Sequence, residues 1–120
     1  MKILIVEDDP QIITYIQKRL EKWGYDHHQA ASNGKEALQH ILNTAFDVVL
    51  LDIMLPDYLG YDLIPELRQI DSDINIITMT GESSRELEKR VRKAGVLYYM
   101  VKPIETQNLK LLLEHLSKNG

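Results

Sequence analysis

Glu7 and Asp8 follow the apolar run Ile3–Val6, Asp52 follows the run at residues 46–51, Thr80 closes residues 74–79, and Lys102 follows residues 97–101. Carboxylates gathered within several ångströms repel one another strongly at intermediate dielectric. A group of this kind keeps a proton or recruits a cation. The chain has no Cys, and no His stands near these positions, so the donors are oxygens and suit a hard ion. Mg2+ commonly takes one or two carboxylates with water and phosphate oxygens. A carboxylate such as Asp52 can attack phosphorus, because an acyl phosphate divides one hard transfer into two easier ones. That chemistry needs positive charge around the phosphoryl oxygens. Mg2+ on Asp8 and Asp52 suits one oxygen, the Lys102 ammonium a second, and the Thr80 hydroxyl with nearby amides a third.

Each residue alone has an ordinary reading. Asp9 is a helix cap, Glu7 a solvated strand-end acid, Asp52 and Thr80 turn residues, and Lys102 a solvated charge. Their joint placement at strand ends changes this. Short β-branched apolar runs alternate with stretches of helical periodicity, the mark of a parallel sheet with crossover helices, so the class is α/β. In open parallel sheets ligands bind beyond the carboxyl ends of the strands, and right-handed crossovers bring those ends to one edge.

The spacing predicts five strands and five helices. Asp9-Pro10 opens a helix with Ile12, Ile13, Ile16, Leu20 and Trp23 inward, stopped by Gly24. A weaker strand at residues 25–31 reads as a sheet edge. Asn33-Gly34 then turns into a helix with Ala37, Leu38, Ile41 and Leu42 inward. A third helix starts near Asp62, with Leu63, Ile64, Leu67 and Ile70 inward and Pro65 near the first turn, where amides lack partners. Ser83 or Ser84 caps a fourth helix, with Leu87, Val91 and Ala94 inward and a charge-dense solvated face over Arg85–Lys93; Gly95 closes it. The last helix buries Leu109, Leu112, Leu113 and Leu116, and residues 117–120 read as a frayed tail. His27, His28, His40 and His115 form no cluster at ligand spacing and read as structural. Leu111, Met100 and Ile104 together suggest a partner-facing patch.

The length of 120 residues fits one domain over residues 1–120, and 44% apolar with 27% charged residues is ordinary for a folded soluble protein. A formal net charge of −4 argues against direct nucleic-acid or membrane partners. No apolar run approaches a membrane span, and the acid at Glu7 comes too early for a secretory signal, so a cytoplasmic location is expected.

Taken together, Lys2-Ile3-Leu4-Ile5-Val6-Glu7-Asp8-Asp9, Asp52-Ile53-Met54-Leu55-Pro56, Thr80-Gly81 and Lys102-Pro103 resemble the receiver domains of two-component response regulators of the chemotaxis-regulator type, over essentially the whole chain. The resemblance implies a doubly wound, flavodoxin-like five-stranded parallel sheet of order 2-1-3-4-5. It implies that Asp52 is the phosphoacceptor for a sensor histidine kinase or phosphotransfer protein. Glu7, Asp8, Asp52 and the Met54 backbone carbonyl would then hold Mg2+, with a cis peptide at Lys102-Pro103. It further implies that Thr80 moves toward the phosphoryl group while Tyr99 turns inward, with output through the fourth helix, fifth strand and fifth helix. The receiver of that output would be an effector protein or an output domain outside this sequence, with a phosphorylation-dependent homodimer as an added expectation.

Leu59 replaces an acid common in relatives, a change that Asp57 would offset, and residues 97–101 are bulkier than usual, giving a more apolar output face. Met54 and Glu82 stand where the family tunes water access to the acyl phosphate. Two other functions fit less well. A receiver-like interaction module without phosphorylation has no need of gathered like charges. A flavin-binding electron carrier would place a phosphate in the Glu7-Asp8-Asp9-Pro10 loop, where the carboxylates repel it.

Overall fold

The computed structural model describes residues 1–119. Five strands alternate with five helices: β1 (Ile3–Val6), α1 (Pro10–Lys22), β2 (His28–Ala31), α2 (Gly34–Asn43), β3 (Val48–Asp52), α3 (Gly60–Ile70), β4 (Asn75–Thr80), α4 (Arg85–Lys93), β5 (Tyr98–Val101) and α5 (Thr106–Asn119). All strand pairs are parallel and their order is β2-β1-β3-β4-β5.

Every residue of β1 and β3 is buried, as expected of central strands covered on both faces. Strand alternation sends Leu4, Val6, Val49 and Leu51 to the layer that holds Ala37 and Ile41 of α2 and Leu63, Ile64 and Leu67 of α3. Ile3, Ile5, Val48 and Leu50 go to the layer that holds Ile16 and Leu20 of α1 and Leu109 and Leu113 of α5. A smaller cluster joins Val91 of α4 to Ile53 and Tyr99.

The helix ends follow local chemistry. Asp9 accepts the Gln11 amide with Pro10 in the first turn, Asn33 accepts the Glu36 amide, and Ser84 accepts the Leu87 amide. Gly24 and Gly95, at φ +91° and +87°, turn the chain out of α1 and α4 in a region that favours glycine.

Several boundaries differ from the pattern-based expectation. The edge strand starts at His28, not at residue 25, because the Tyr25 amide is taken by the Leu20 carbonyl at the end of α1 and the Tyr25 side chain joins the α1/α5 layer. The third and fourth strands run one to two residues later than the apolar runs and end on Asp52 and Thr80 themselves, and β5 begins at Tyr98. Leu42 is 67% exposed and Ile70 38% exposed. Leu42 lies five positions past Ala37 and so off the stripe set by Ala37 and Ile41, while Ile70 ends its helix beyond the last buried position, Leu67. Met100 is buried in the α1/α5 layer with Ile104 packed against it, so neither forms a surface patch with the exposed Leu111. The expected frayed tail is helical through Asn119, where Ser117 Oγ donates to the Leu113 carbonyl at 2.9 Å; Gly120 lies outside the described residues.

The loop after β3 is held from both sides. Its Asp57 carboxylate accepts the Gly34 and Lys35 amides at 2.8 and 3.0 Å. Asp57 therefore serves the start of α2 and does not replace the missing acid at Leu59. The Gly60 amide returns to the Ile53 carbonyl at 2.7 Å. A Cβ on Gly60 would come within 2.9 Å of the Ile53 Cα, so only glycine allows this close return next to Asp52.

Pro65 is the sixth residue of α3, past the first turn. It deprives the Tyr61 carbonyl of its helical donor, and its exposed ring gains no core contact in return. A helix-interior proline costs about 3 kcal/mol, partly offset by up to about 1 kcal/mol from a stiffer unfolded chain. Pro65→Ala should therefore raise stability by about 2 kcal/mol, seen as a higher urea midpoint at unchanged slope.

Candidate functional site

The acids are placed by strand ends. The Glu7 amide donates to the Ala31 carbonyl, which extends the β1–β2 ladder one residue past β1 and turns the Glu7 side chain inward at 1% exposure. Asp8 follows on the exposed side. Asp52 ends β3 at 4% exposure, and its Oδ1 accepts the Met54 amide at 3.1 Å. One carboxylate oxygen from each of Glu7, Asp8 and Asp52 lies within 4.8 Å of the other two.

Lys102, the residue after β5, closes this group. Its amide donates to the Thr80 carbonyl at 2.7 Å. Its Nζ reaches Glu7 Oε1 at 2.5 Å and Asp52 Oδ2 at 3.1 Å. The peptide from Lys102 to Pro103 is cis, as the resemblance implied. One ammonium thus pairs with two of three gathered carboxylates, an excess of negative charge that suits a further cation.

Burial is the largest influence on Glu7. It pushes the carboxyl above its ordinary range, the Lys102 ammonium pulls it back, and the neighbouring Asp52 pushes it up again. Burial alone would lower Lys102, but its bonds to Glu7 and Asp52 outweigh that and hold the ammonium above its ordinary value.

The Thr80 and Tyr99 hydroxyls are bonded to the loop after β4. The buried Thr80 hydroxyl donates to the Glu82 carbonyl at 2.8 Å and accepts the Glu82 amide at 3.2 Å, so it is engaged by the loop after β4. Tyr99 is already inward at 7% exposure, against Ile53 and Val91. Its hydroxyl lies 2.9 Å from Ser83 Oγ. Ser83 is the residue that sequence reasoning left out of this site. In the sequence it reads only as a cap, and since Ser84 fills that role, a second serine beside the cap is the available signal. Met54, whose amide bonds Asp52, is 46% exposed, and Glu82 is exposed.

None of the four histidines joins the cluster. His40 Nδ1 pairs with Gln29 at 2.9 Å, and its ring meets the edge of Phe46. His28 lies 3.7 Å from Glu21. Among the described residues no helix is long and apolar enough to cross a membrane.

A five-stranded doubly wound sheet with three acids and a lysine at its carboxyl edge defines a class, and comparison with known proteins names it. Residues 3–114 match the family model described as response regulator receiver domain. The transcriptional regulatory protein ZraR of Escherichia coli K12 is 34% identical over 112 residues, which is 93% of this chain and 25% of that protein. The chain therefore spans about a quarter of the length of this relative. Among solved structures, a CheY-like response regulator receiver domain protein from Methanospirillum hungatei JF-1 superposes with TM-score 0.87 at 32% identity, covering 99% of this chain and 98% of that one. The beryllofluoride-activated NtrC4 receiver domain dimer superposes with TM-score 0.90 at 27% identity, covering 98% and 97%. The chain belongs to the response regulator receiver domain family of two-component signalling.

The upward shift of Glu7 carries a pH dependence. A carboxyl whose folded pKa lies above its unfolded value of 4.5 gives stability that is full below that value and is lost as pH rises through the folded pKa. In EDTA, the urea midpoint should fall as pH rises from about 4.5 through the Glu7 titration, and Glu7→Gln should flatten that segment. A wild-type midpoint that climbs over the same interval would contradict the placement of Glu7.

Proposed function

We propose that this domain is a phosphorylation-controlled switch in which Asp52 accepts a phosphoryl group from a phosphohistidine on a sensor histidine kinase or phosphotransfer protein. The observation that carries this reading is the convergence of Glu7, Asp8 and Asp52 oxygens within 4.8 Å, with the Lys102 ammonium bound to two of them.

An Asp52 oxygen attacks phosphorus, the bond from phosphorus to the histidine nitrogen breaks, and the nitrogen leaves with its electron pair. The Met54 amide and Lys102 keep the carboxylate oriented for this attack. Lys102 also balances charge on the incoming phosphoryl oxygens. Thr80, at the end of the neighbouring strand, supplies a hydroxyl once it leaves Glu82.

The donor set fits Mg2+. It is all oxygen, it carries more negative charge than Lys102 neutralises, and it mixes buried Glu7 and Asp52 with exposed Asp8, which leaves room for water ligands. Glu7, Asp8, Asp52 and the Met54 carbonyl are the groups assigned to hold it. When bound, it supplies positive charge at the phosphoryl oxygens.

In this reading the domain catalyses only its own phosphorylation and dephosphorylation. Its output leaves through α4, β5 and α5 to an effector protein or output domain, with Thr80 and Tyr99 as the switch pair. Met54, two residues past Asp52 and half-exposed, is assigned with Glu82 to tune access of water to the acyl phosphate, the large thioether slowing hydrolysis.

Acetyl phosphate with Mg2+ should add one hydroxylamine-labile phosphoryl group, detected by intact mass; Asp52→Asn and EDTA should each abolish it. A stable adduct on Asp52→Asn would sink the assignment. Mg2+ alone should raise the urea midpoint in proportion to the logarithm of its concentration once above its dissociation constant, and a midpoint indifferent to Mg2+ would remove the metal from the reading. Met54→Asn should shorten the phosphoryl lifetime several-fold, measured by decay of the labelled protein after donor removal; an unchanged lifetime would clear the thioether of this role.

A further inference from the structure

The segment between β3 and α3 is a narrow loop. Its legs pair at Met54 and Leu59, the Leu55 amide donates to the Tyr58 carbonyl at 3.1 Å, and the Gly60 amide donates to the Ile53 carbonyl at 2.7 Å. Pro56 and Asp57 form its exposed tip. No side chain caps the start of α3 at Leu59. Asp57 ties the tip to α2 instead, its two carboxylate oxygens accepting the Gly34 and Lys35 amides, the first two of that helix. What little burial this carboxyl has would raise it, but the two amides outweigh that and hold it below its ordinary range. The Tyr58 ring lies so close to Gly34 that a Cβ there would collide with it, and it packs on the α2/α3 layer.

These contacts do more than cap a helix. α2 already has a local cap, since Asn33 Oδ1 accepts the Glu36 amide at 2.8 Å. A carboxylate brought from 22 residues away adds a link between two elements. One of those elements carries Met54, whose amide is bonded to Asp52 Oδ1 at 3.1 Å. Of the groups assigned to Mg2+, Glu7 and Asp52 are set by strand register, whereas the Met54 carbonyl is set by this loop. A backbone carbonyl cannot turn without its whole peptide plane, and Mg2+ tolerates little departure from octahedral geometry. The least firmly held of the assigned ligands therefore depends on how the loop is anchored.

We propose that Asp57 is a positioning residue for the metal site: by clamping the Gly34 and Lys35 amides it holds the loop that carries the Met54 carbonyl, so that clamp closure and cation affinity rise and fall together. The inference rests on the reading that this carbonyl and the three carboxylates hold Mg2+. It also gives the carboxyl edge of the sheet a connection to the start of α2, on the side of the sheet away from α4 and β5. Because a coupling of this kind is reciprocal, the factor by which the clamp tightens the cation is the factor by which the cation tightens the clamp.

The test is amide NMR on isotope-labelled protein. In EDTA the Gly34 and Lys35 amides of wild type should exchange slowly with solvent, and saturating Mg2+ should slow them about fivefold further. The Glu36 amide, capped by Asn33, should change less. Asp57→Ala should bind Mg2+ about fivefold more weakly, read from the Ile53 and Met54 amide shifts during a Mg2+ titration. Asn33→Ala, which removes the local cap and leaves the loop bonds, should lower the urea midpoint while keeping the Mg2+ affinity of wild type. If Asp57→Ala does not fold, Asp57→Asn, which keeps one acceptor oxygen, should lose about twofold. Three results would overturn the proposal: Mg2+ affinity unchanged in the Asp57 variant, exchange at Gly34 and Lys35 that Mg2+ slows no more than at Glu36, or a loss in Asn33→Ala equal to that in Asp57→Ala. A wild type in which Mg2+ moves no amide would sink the metal reading and this inference with it. That outcome is distinct from Mg2+ uptake that Asp57 does not alter.

Discussion

Two almost wholly buried carboxylates, Glu7 and Asp52, share one ammonium in this molecule, and a third carboxylate, Asp8, stands within 4.8 Å. Burying like charges together works against folding, and a single cation cannot balance three acids. The sheet sustains this arrangement because the strands that carry it are covered on both faces by apolar side chains. The strain also explains the chemistry on offer, since a site that holds excess negative charge in place, before any ligand arrives, is set up to gain from a cation and from a group that lets one carboxylate form a bond.

The cluster depends on register more than on any loop. Glu7 stays on the β1–β2 ladder through its bond to Ala31, Asp52 is itself a ladder residue opposite Met79, and the Lys102 amide is fixed to Thr80 one position further along. A one-residue slip in β3 would carry Asp52 to the other face of the sheet. The loop after β3 adds a second constraint, because Asp57 fastens it to the start of α2 and Gly60 returns it to Ile53. Asp52 is thus held from the strand below and from the loop above.

The main features of this architecture were legible in the residues because they rest on periodicity and on strand-end acids. Val48 to Leu51 reads as a central strand from its continuous apolarity, and Asp9-Pro10 reads as a helix start from capping chemistry. The convergence of Glu7, Asp8, Asp52 and Lys102 followed from topology alone. What escaped depends on long-range partners. Nothing local marks Asp57 as the carboxylate for the Gly34 and Lys35 amides, some 22 residues away. Leu42 and Ile70 looked inward because an apolar residue near a stripe is indistinguishable from one on it until the buried positions are known. Pro65 was read as close enough to the helix start to be harmless, but the start lies at Gly60, where a leucine without a capping side chain precedes it, so no sequence signal marked the boundary.

Thr80 and Tyr99 were expected to act together, and the structure shows what joins them. No hydrogen bond joins the two among the described residues; each is bonded to the loop between β4 and α4. The Thr80 hydroxyl makes two bonds to Glu82, Tyr99 bonds to Ser83, and Ser84 caps α4 through Leu87. In the proposed switch, rotation of the Thr80 hydroxyl toward Asp52 would break both bonds to Glu82 and free that residue. The next two residues are then the ones that hold the tyrosine and the helix. The aromatic stands inward while the hydroxyl still faces the loop, so the two positions are coupled through three consecutive residues and are not locked to each other. In the proposed switch, this short segment, bonded to both side chains and to the start of α4, would carry a change at the carboxyl edge of the sheet to that helix with no rearrangement of the core.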